Sequence, residues 1–182
     1  MRVHLADSRI DRVLFTPADI DHRVAQLGAE IAADYSGRDL VLITVLKGGL
    51  FFLADLCRHI DLPHKIDFMA VSSYGPGAAG SVRSTKDLDD SIEGRDVLIV
   101  EDIIDTGLTL NYLIRVLRAR RPASLAVCTL LDKDVRRIID LPIEYTGFSI
   151  PDRFVVGYGL DLQGVWRNLP YVATLHDEVW DH

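Results

Sequence analysis

Two patterns of hydrophobic residues alternate along the chain, one with helical spacing and one continuous. The first segment with helical spacing has apolar residues at Ile20, Val24, Leu27 and Ile31. It opens with Thr16 as a candidate N-cap, Pro17 at the first helical position and Asp19 three residues after the cap. The pattern therefore predicts a helix that begins at Pro17 and stops at Gly37.

The continuous pattern indicates strands. Apolar runs rich in β-branched residues occupy DLVLITVLKGG (39–49), RDVLIV (95–100) and SLAVCTLL (124–131), and KIDFMAVSSYG (65–75) is a further predicted strand. Runs without polar alternation are typical of strands buried on both faces, as in parallel sheets. Helical patterns recur between these strands, in LFFLADLCRHI (50–60) and TLNYLIRVLRARRP (109–122). The alternation predicts an α/β fold built on a mainly parallel sheet.

Two regions depart from this alternation. The last part of the chain reads as short strands, IEYTGF, RFVVGYG and YVATL, which could form a small cap together with the N-terminal helix. The interval GPGAAGSVRSTKDLDDSIEG (75–94) is polar and rich in glycine, and we expect it not to pack. A loop of this length in a compact domain is either functional or mobile. With no repeat and no inter-domain linker, residues 1–182 are predicted to form one domain.

Composition and charge exclude several classes of protein. The length of 182 residues is sufficient for one well-cored domain. A net charge of −7 argues against nucleic-acid binding, but not against a phosphorylated small molecule, because a bound cation can bridge carboxylates to phosphates. The N-terminus has no apolar h-region, and no stretch approaches the length of a membrane span. We interpret Cys57 and Cys128 as reduced core residues of a cytoplasmic protein, and the six histidines lack the spacing of a zinc site.

One strand runs directly into carboxylates and then into a turn rich in hydroxyl groups, in the sequence VLIVEDIIDTGLTL (97–110). The polar residues of this junction are Glu101, Asp102, Asp105, Thr106 and Thr109, with Gly107 between the threonines. Ligands of open α/β sheets bind at the carboxyl ends of the strands, and a helix N-terminus there favours anions. The two adjacent carboxylates could accept hydrogen bonds from ribose hydroxyls or hold Mg²⁺. The junction therefore predicts either a sugar–phosphate site or a strand end followed by a simple capped helix, and it matches neither a Walker loop nor a GxGxxG fingerprint.

The same stretch resembles the phosphoribosyl-pyrophosphate-binding signature of type I phosphoribosyltransferases, specifically the hypoxanthine–guanine branch. Three further segments fit that branch in order: VLKGG (45–49), SSYG (72–75) and FSIPDRFVVGYGLD (148–161), the last followed by WRNLPY. The resemblance implies the type I phosphoribosyltransferase fold, a twisted, mainly parallel sheet flanked by helices. It also implies a small hood formed by about residues 1–15 and 140–182 and a mobile loop at about residues 73–92.

The resemblance assigns the acidic junction to the sugar, the phosphate and the metal. Asp105 matches the family's general base, which interacts with N7 of the purine while N9 attacks the anomeric carbon. The loop that holds the 5′-phosphate corresponds to Asp105, Thr106, Gly107, Leu108 and Thr109. Glu101 and Asp102 match the acidic pair that faces the ribose hydroxyls and the metal, which is Mg²⁺ in this family. Leu108 stands where some members carry lysine, a change that should not abolish phosphate binding through the backbone.

The resemblance places two further loops around the activated sugar. Lys47 and Gly48 match the pyrophosphate loop, where the family carries a non-proline cis peptide after the preceding residue, here Leu46. Ser73 and Tyr74 match the mobile loop that closes over the site. Closure of such a loop excludes water and limits hydrolysis of the activated sugar.

The purine is assigned to a lysine and to residues of the last motif. Lys133 matches the lysine that donates a hydrogen bond to O6, and because an ammonium group has only donors it favours an oxo group over the 6-amino group of adenine. Phe154 would stack on the purine, and the backbone of Val155 would read the edge of the base. Asp161 belongs to the purine site and matches a ligand of a second Mg²⁺. Arg167 matches a pyrophosphate contact, for which a planar guanidinium is well shaped.

These assignments imply a Mg²⁺-dependent enzyme of cytoplasmic purine salvage that joins hypoxanthine or guanine to phosphoribosyl pyrophosphate, giving the nucleoside 5′-monophosphate and pyrophosphate. Two alternatives remain open. A related transferase could prefer xanthine, because Lys133 and Phe154 do not decide the 2-position of the base. A regulator could sense phosphoribosyl pyrophosphate and bind RNA or DNA, which the acidic net charge and the retention of Asp105 oppose. Family members are commonly dimers or tetramers, so we expect a homo-oligomer, in which LFFLADL (50–56) could supply either an apolar interface or core.

Overall fold

The computed structural model describes residues 7–74, 81–139 and 141–180. In chain order its elements are β1 (Ile10–Phe15), α1 (Pro17–Asp34), β2 (Leu40–Leu46), α2 (Leu50–His59), β3 (Lys65–Tyr74), β4 (Ser81–Lys86), β5 (Asp96–Ile104), α3 (Leu108–Arg118), β6 (Ser124–Asp132), a 3₁₀ turn (Asp134–Arg136), β7 (Tyr145–Ser149), β8 (Val155–Val156), β9 (Val172–Leu175) and α4 (Asp177–Trp180). The three apolar runs of the sequence are β2, β5 and β6, and helices lie between them as predicted.

Six strands form one large sheet in the order β4-β3-β2-β5-β6-β7. All neighbouring pairs are parallel except β3 and β4, which pair antiparallel. Parallel neighbours need a crossover connection, and α2 and α3 provide it between β2 and β3 and between β5 and β6. The predicted α/β fold with a mainly parallel sheet flanked by helices is confirmed.

Helices cover both faces of the large sheet, which explains why β2 is apolar at consecutive positions. Leu40 and Leu42 pack with α1 and α2 on one face, whereas Val41 and Ile43 pack with α3 on the other. None of these four side chains is more than 2% exposed. Successive strand residues point to opposite faces, so a strand between two helical layers cannot alternate with polar residues.

The start of α1 confirms its prediction. The Thr16 hydroxyl accepts a hydrogen bond from the Asp19 N–H at 3.3 Å, and the Asp19 carboxylate accepts one from the Thr16 N–H at 2.8 Å. This capping box satisfies two backbone donors at the start of the helix. The buried face of α1 consists of Ile20, Val24, Leu27, Gly28 and Ile31.

A second sheet, antiparallel and three-stranded, has the order β1-β9-β8. We call residues 10–15 and 150–175, which contain this sheet, the hood. Its own apolar cluster is made of Val156, Trp166, Leu169, Tyr171, Ala173 and Leu175. The hood is therefore a separate small layer, joined to the large sheet near the carboxyl ends of the parallel strands.

The structure corrects the expected hood and cap in two respects, and it adds one strand that the local pattern misses. Residues 145–149 are β7, an edge strand of the large sheet, so the hood does not begin at residue 140. The helix α1 packs beside α2 on the large sheet and takes no part in a cap. The strand β1 is not predicted by the pattern of its sequence IDRVLF, because the adjacent charges of Asp11 and Arg12 break the alternation of a strand.

The polar interval after β3 also differs from the expectation that it does not pack. Within it, β4 pairs with β3, and Ile92 is only 1% exposed. The buried carboxylate of Asp67 accepts a hydrogen bond from the Asp89 N–H at 2.9 Å and fastens the segment to the sheet. Ser73 and Tyr74 are the last two positions of β3, while residues 75–80 lie outside the described residues. Closure of a mobile loop over the site stays a prediction.

The structure bears on two expectations from the composition, that the cysteines are reduced and that no segment spans a membrane. Cys128 is buried and Cys57 half-buried, and both are free. Burial raises the pKa of the Cys128 thiol, which keeps it protonated and unreactive. None of the helices in the three described ranges is long and apolar enough to cross a membrane.

Candidate active site

The carboxyl ends of three neighbouring parallel strands bring the predicted site residues to one edge of the large sheet. Lys47 follows β2, Asp105 follows β5 and Lys133 follows β6, and these three strands are adjacent. Two cavities open at this edge, with volumes of about 230 Å³ and 370 Å³. Asp102, Ile103 and Asp105 line both of them, so the two cavities adjoin and form one site.

The smaller cavity lies between the end of β5 and the start of α3. Its lining consists of Glu101, Asp102, Ile103, Ile104, Asp105, Thr106, Gly107, Thr109 and Leu110. Gly107 is the N-cap of α3, has a φ of +80° and offers no capping side chain. The Thr106 hydroxyl accepts from the Leu108 N–H over a long 3.4 Å.

The first turn of α3 therefore lacks the capping box that closes α1, and its backbone N–H groups are available to an anion. This difference favours the sugar–phosphate interpretation of the junction over a simple capped helix. Of the predicted phosphate residues, Leu108 does not line the cavity: its side chain is 43% exposed, so only its backbone lies at the turn.

Two carboxyl groups, buried Glu101 and half-buried Asp102, line the smaller cavity. Burial, and then the charge of Asp102, raise the pKa of Glu101 well above its usual range. The Oε1 atom of Glu101 is buried without a hydrogen-bond partner. Burial also raises the pKa of Asp102 to about 6, although the Ile103 N–H donates to its Oδ1 at 2.8 Å. Both groups are costly to ionise without a cation, so their environment suits one.

The turn after β2 approaches this acidic pair closely. A Cβ atom at Gly48 would overlap the Oδ2 of Asp102, so a larger residue there would require the Asp102 carboxylate to move. The peptide bond between Leu46 and Lys47 is cis, as the resemblance predicted. The side chain of Lys47 is exposed and lines neither cavity, so the structure places it at the rim of the site.

The larger cavity lies between the end of β6 and the hood. Its lining consists of Asp102, Ile103, Asp105, Lys133, Arg136, Asp152, Phe154, Val155, Leu160, Asp161 and Arg167. Lys133 is only 6% exposed, and this burial lowers the pKa of its ammonium group, an effect that the charges of Asp105 and Asp152 oppose. The Oδ1 atom of Asp105 is buried and has no hydrogen-bond partner. A cavity with an apolar wall, one buried cation and one unpaired carboxylate oxygen suits a flat polar ring.

Asp161 and Arg167 lie on the hood side of this cavity and bind each other. The Arg167 Nη2 forms an ion pair with Asp161 Oδ1, and the Gly164 N–H donates to Asp161 Oδ2 at 2.5 Å. Within the described ranges, no group of three or more His, Cys, Asp or Glu side chains is arranged to hold a metal ion. Asp102 and Asp161 line the same cavity but do not form a complete metal site, so Mg²⁺ would need further oxygen ligands from the substrate.

Two charged residues of the larger cavity are not singled out by the sequence motifs. Arg136 and Asp152 form a salt bridge of 2.6 Å that links the segment after Lys133 to the segment before Phe154. Each lies within three residues of an assigned residue, and their opposite charges are the signal that could have identified them.

Comparison with known proteins identifies the family. Residues 18–163 match the model of the phosphoribosyl transferase domain. The chain is 52% identical to hypoxanthine phosphoribosyltransferase of Salmonella typhimurium, over 90% of this chain and 94% of that protein. It is 48% identical to hypoxanthine-guanine phosphoribosyltransferase of Bacillus subtilis, over 94% and 97% of the two chains. A crystal structure of hypoxanthine phosphoribosyltransferase from Staphylococcus aureus superimposes with a TM-score of 0.92 and 46% identity, covering 96% of each chain.

The chain belongs to the phosphoribosyltransferase family and has the type I phosphoribosyltransferase fold. Within that family, its similar relatives are enzymes named for hypoxanthine or for hypoxanthine and guanine. The predicted resemblance to hypoxanthine–guanine phosphoribosyltransferases is therefore confirmed, while the roles of the individual site residues stay predictions.

Proposed function

We propose that this enzyme transfers the 5-phosphoribosyl group from phosphoribosyl pyrophosphate to hypoxanthine and guanine, and that the reaction depends on Mg²⁺. The observation that carries the proposal is the position of Asp105. This residue lies where the two cavities meet, next to the uncapped start of α3, and its Oδ1 is buried without a partner. A carboxylate there faces both a sugar phosphate on one side and a base on the other.

The larger cavity suits the purine. The ammonium group of Lys133 can only donate hydrogen bonds, so an oxo group at C6 of the base can accept one from it. The 6-amino group of adenine is itself a donor, so it would face the ammonium group without a hydrogen bond. Phe154 offers an aromatic face, and aromatic rings prefer stacked or edge-on arrangements with other rings. The backbone of Val155 lies beside it and can read the edge of the base. A site rejects a base strongly when that base would leave the buried polar groups of the site without hydrogen-bond partners.

The smaller cavity suits the 5′-phosphate. The N–H groups of the first turn of α3 and the hydroxyls of Thr106 and Thr109 are donors, and the positive end of the helix dipole favours the phosphate charge. With the phosphate held there and the base in the larger cavity, the anomeric carbon lies between them. Asp105 then acts as the general base toward N7 while N9 attacks, a role that typically contributes about 10²–10⁴-fold to the rate.

The acidic pair Glu101 and Asp102 fits a divalent cation, because Glu101 has an unpartnered carboxylate oxygen and desolvation disfavours ionisation of both groups. Mg²⁺ bound there would neutralise charge on the departing pyrophosphate. The backbone at Gly48 lies against Asp102, and the guanidinium of Arg167 lines the same cavity as Asp102. These groups bind and orient the pyrophosphate as it leaves.

The experiment that tests the proposal is a comparison of bases. The purified protein is incubated with Mg²⁺ and phosphoribosyl pyrophosphate, and hypoxanthine, guanine, xanthine or adenine is supplied separately while monophosphate formation is followed by chromatography. We expect turnover of hypoxanthine and guanine and none of adenine. A clear preference for xanthine would replace the proposed bases. Binding of phosphoribosyl pyrophosphate without turnover of any base would instead support the regulator.

A further inference from the structure

One turn of the hood rests directly on the turn that follows β2. Gly157, Tyr158 and Gly159 all have positive φ angles, of +96°, +50° and +103°. A Cβ atom at Gly159 would overlap the carbonyl oxygen of Gly48. The hood and the large sheet therefore meet at the backbone that we assign to the pyrophosphate.

Tyr158 anchors this turn to the large sheet. Its side chain is 7% exposed, and its hydroxyl donates a hydrogen bond to Asp55 of α2 at 2.6 Å. Its ring lies against that of Phe51, with centroids 6.4 Å apart. A left-handed backbone is unfavourable for a residue with a Cβ, so these contacts must hold the turn in place. Since α2 begins directly after the turn that carries Gly48, the bond ties the hood to the element next to that turn.

The turn 157–159 also binds Arg167 through two hydrogen bonds. The Arg167 Nη1 donates to the carbonyl oxygen of Gly159 at 2.5 Å, and the Gly159 N–H donates to the carbonyl oxygen of Arg167 at 2.9 Å. The neighbouring Tyr158 N–H donates to the Leu169 carbonyl at 2.8 Å. The direction of the guanidinium is thus set by the turn together with its ion pair to Asp161.

We propose that the hydrogen bond between Tyr158 and Asp55 is a positioning device, which holds the turn 157–159 against Gly48 and aims Arg167 at the pyrophosphate. Neither Tyr158 nor Asp55 lines the two cavities of the site, so they act through Arg167 and Gly48 without touching the substrate. This inference rests on the proposed function, because it assigns the residues that arrange the site for phosphoribosyl pyrophosphate.

The chain offers a matched control for a test. The hydroxyl of Tyr145 donates to Asp34 at 2.7 Å and joins β7 to α1, and neither residue lines either cavity. Tyr158→Phe and Tyr145→Phe therefore remove the same kind of hydrogen bond, one beside the site and one away from it. Asp55 still accepts from Arg58 at 3.0 Å after Tyr158→Phe, so no unpaired carboxylate is buried by the change.

Steady-state kinetics of the purified full-length variants tests the proposal, after thermal melting has shown that each is folded. In Tyr158→Phe we expect the KM for phosphoribosyl pyrophosphate to rise about tenfold, as for the loss of one hydrogen bond to a charged group, with kcat and the KM for hypoxanthine close to wild type. Asp55→Ala should have the same effect, and the double variant should be no worse than either single one. Tyr145→Phe should keep the wild-type KM.

An unchanged KM for phosphoribosyl pyrophosphate in both Tyr158→Phe and Asp55→Ala would overturn the positioning role. An equal rise in Tyr145→Phe would do the same, since the effect would then come from general loosening of the fold. If Tyr158→Phe does not fold, Asp55→Ala alone decides. A wild-type protein without turnover would instead refute the proposed function, and the two failures are therefore distinguishable.

Discussion

At the scale of single residues, the larger cavity depends on one buried cation. Lys133 is nearly enclosed, and burial lowers its pKa, while Asp105 and Asp152 on two other segments oppose that effect. Arg136 pairs with Asp152 and adds a further positive charge near the ammonium group. The side-chain nitrogen of Lys133 is thus enclosed near these carboxylates at the place where a base oxygen would accept its hydrogen bond.

Replacement of Lys133 by alanine should therefore weaken the use of oxopurines. We expect kcat/KM for hypoxanthine to fall about 10- to 100-fold, which corresponds to the loss of a hydrogen bond from a charged donor, while the KM for phosphoribosyl pyrophosphate changes little. Lys65→Ala is the control, because Lys65 is exposed and pairs only at the surface with Asp90. Unchanged purine kinetics in Lys133→Ala would show that this lysine does not read the base.

The raised pKa of the Asp102 carboxyl group predicts how the stability of the protein depends on pH. Its pKa is raised from 3.8 to about 6, so the folded state binds this proton more tightly than the unfolded state. Stability is therefore lost as the pH rises from about 4 to about 6, and the loss is complete above that interval. In the presence of a chelator, Asp102→Asn should gain about 1 kcal/mol in free energy of unfolding relative to wild type between pH 5 and pH 7.5.

Denaturant unfolding of both proteins at the two pH values measures this difference. Asp61→Asn, a change at an exposed residue, should show no such gain. If the difference between Asp102→Asn and wild type were the same at pH 5 and pH 7.5, the carboxyl of Asp102 would not titrate in this interval.

At the scale of elements, the start of α3 is where we propose that the phosphate binds. Gly107 combines a φ of +80° with close neighbours, since a Cβ would lie 3.2 Å from the carbonyl oxygen of Ile139. Gly94 has a similar φ of +71° but open space around it. Both glycines provide a left-handed backbone, but only Gly107 does so inside the site.

A comparison of Gly107→Ala with Gly94→Ala should therefore distinguish an effect on stability from an effect on substrate binding. Each should lose about 1 kcal/mol of stability through the left-handed conformation, measured by denaturant unfolding. Only Gly107→Ala should also raise the KM for phosphoribosyl pyrophosphate, because the first turn of α3 must shift away from Ile139. Equal KM values in the two variants would contradict a phosphate site at this helix start.

Local signals also explain which elements could be predicted from the sequence. The cap at Thr16, the apolar face of α1 and the run in β2 are encoded within a few neighbouring residues, and each is found as predicted. The hood is different: β8 has only two residues because Gly157 follows in a left-handed conformation, and β1 exists because β9 pairs with it. Such elements depend on partners far along the chain, which no local pattern reports.

The same distinction holds for the site. The carboxylates at the end of β5 and the lysines after β2 and β6 follow from strand ends and motifs, so their common edge could be predicted. The contact of Gly48 with Asp102 and the bond between Tyr158 and Asp55 could not, because each joins segments that only the complete fold brings together. The residues at the strand ends were therefore more predictable than the residues that hold those segments together.

At the scale of the whole molecule, α2 divides the segment LFFLADL between the core and the surface. Within LFFLADL, Phe52, Leu53 and Leu56 belong to the core, whereas Leu50 and Phe51 are 42% and 39% exposed. The same segment thus supplies core on one face and two large apolar side chains on the surface of the protomer. Exposed apolar residues that lie together mark interaction sites more often than isolated ones do.

A homo-oligomer that buries Leu50 remains our expectation, and its mass provides the test. By light scattering at micromolar concentration we expect a multiple of 20.3 kDa for the wild type and a smaller assembly for Leu50→Glu, because a charge at a buried interface is costly. Val135→Glu is the control: Val135 is a large apolar residue that is 73% exposed and lies in the 3₁₀ turn after β6, outside α2, and the change should leave the mass as it is. A monomeric wild type would remove the expected oligomer altogether, whereas an oligomer that survives Leu50→Glu would place the interface elsewhere on the surface.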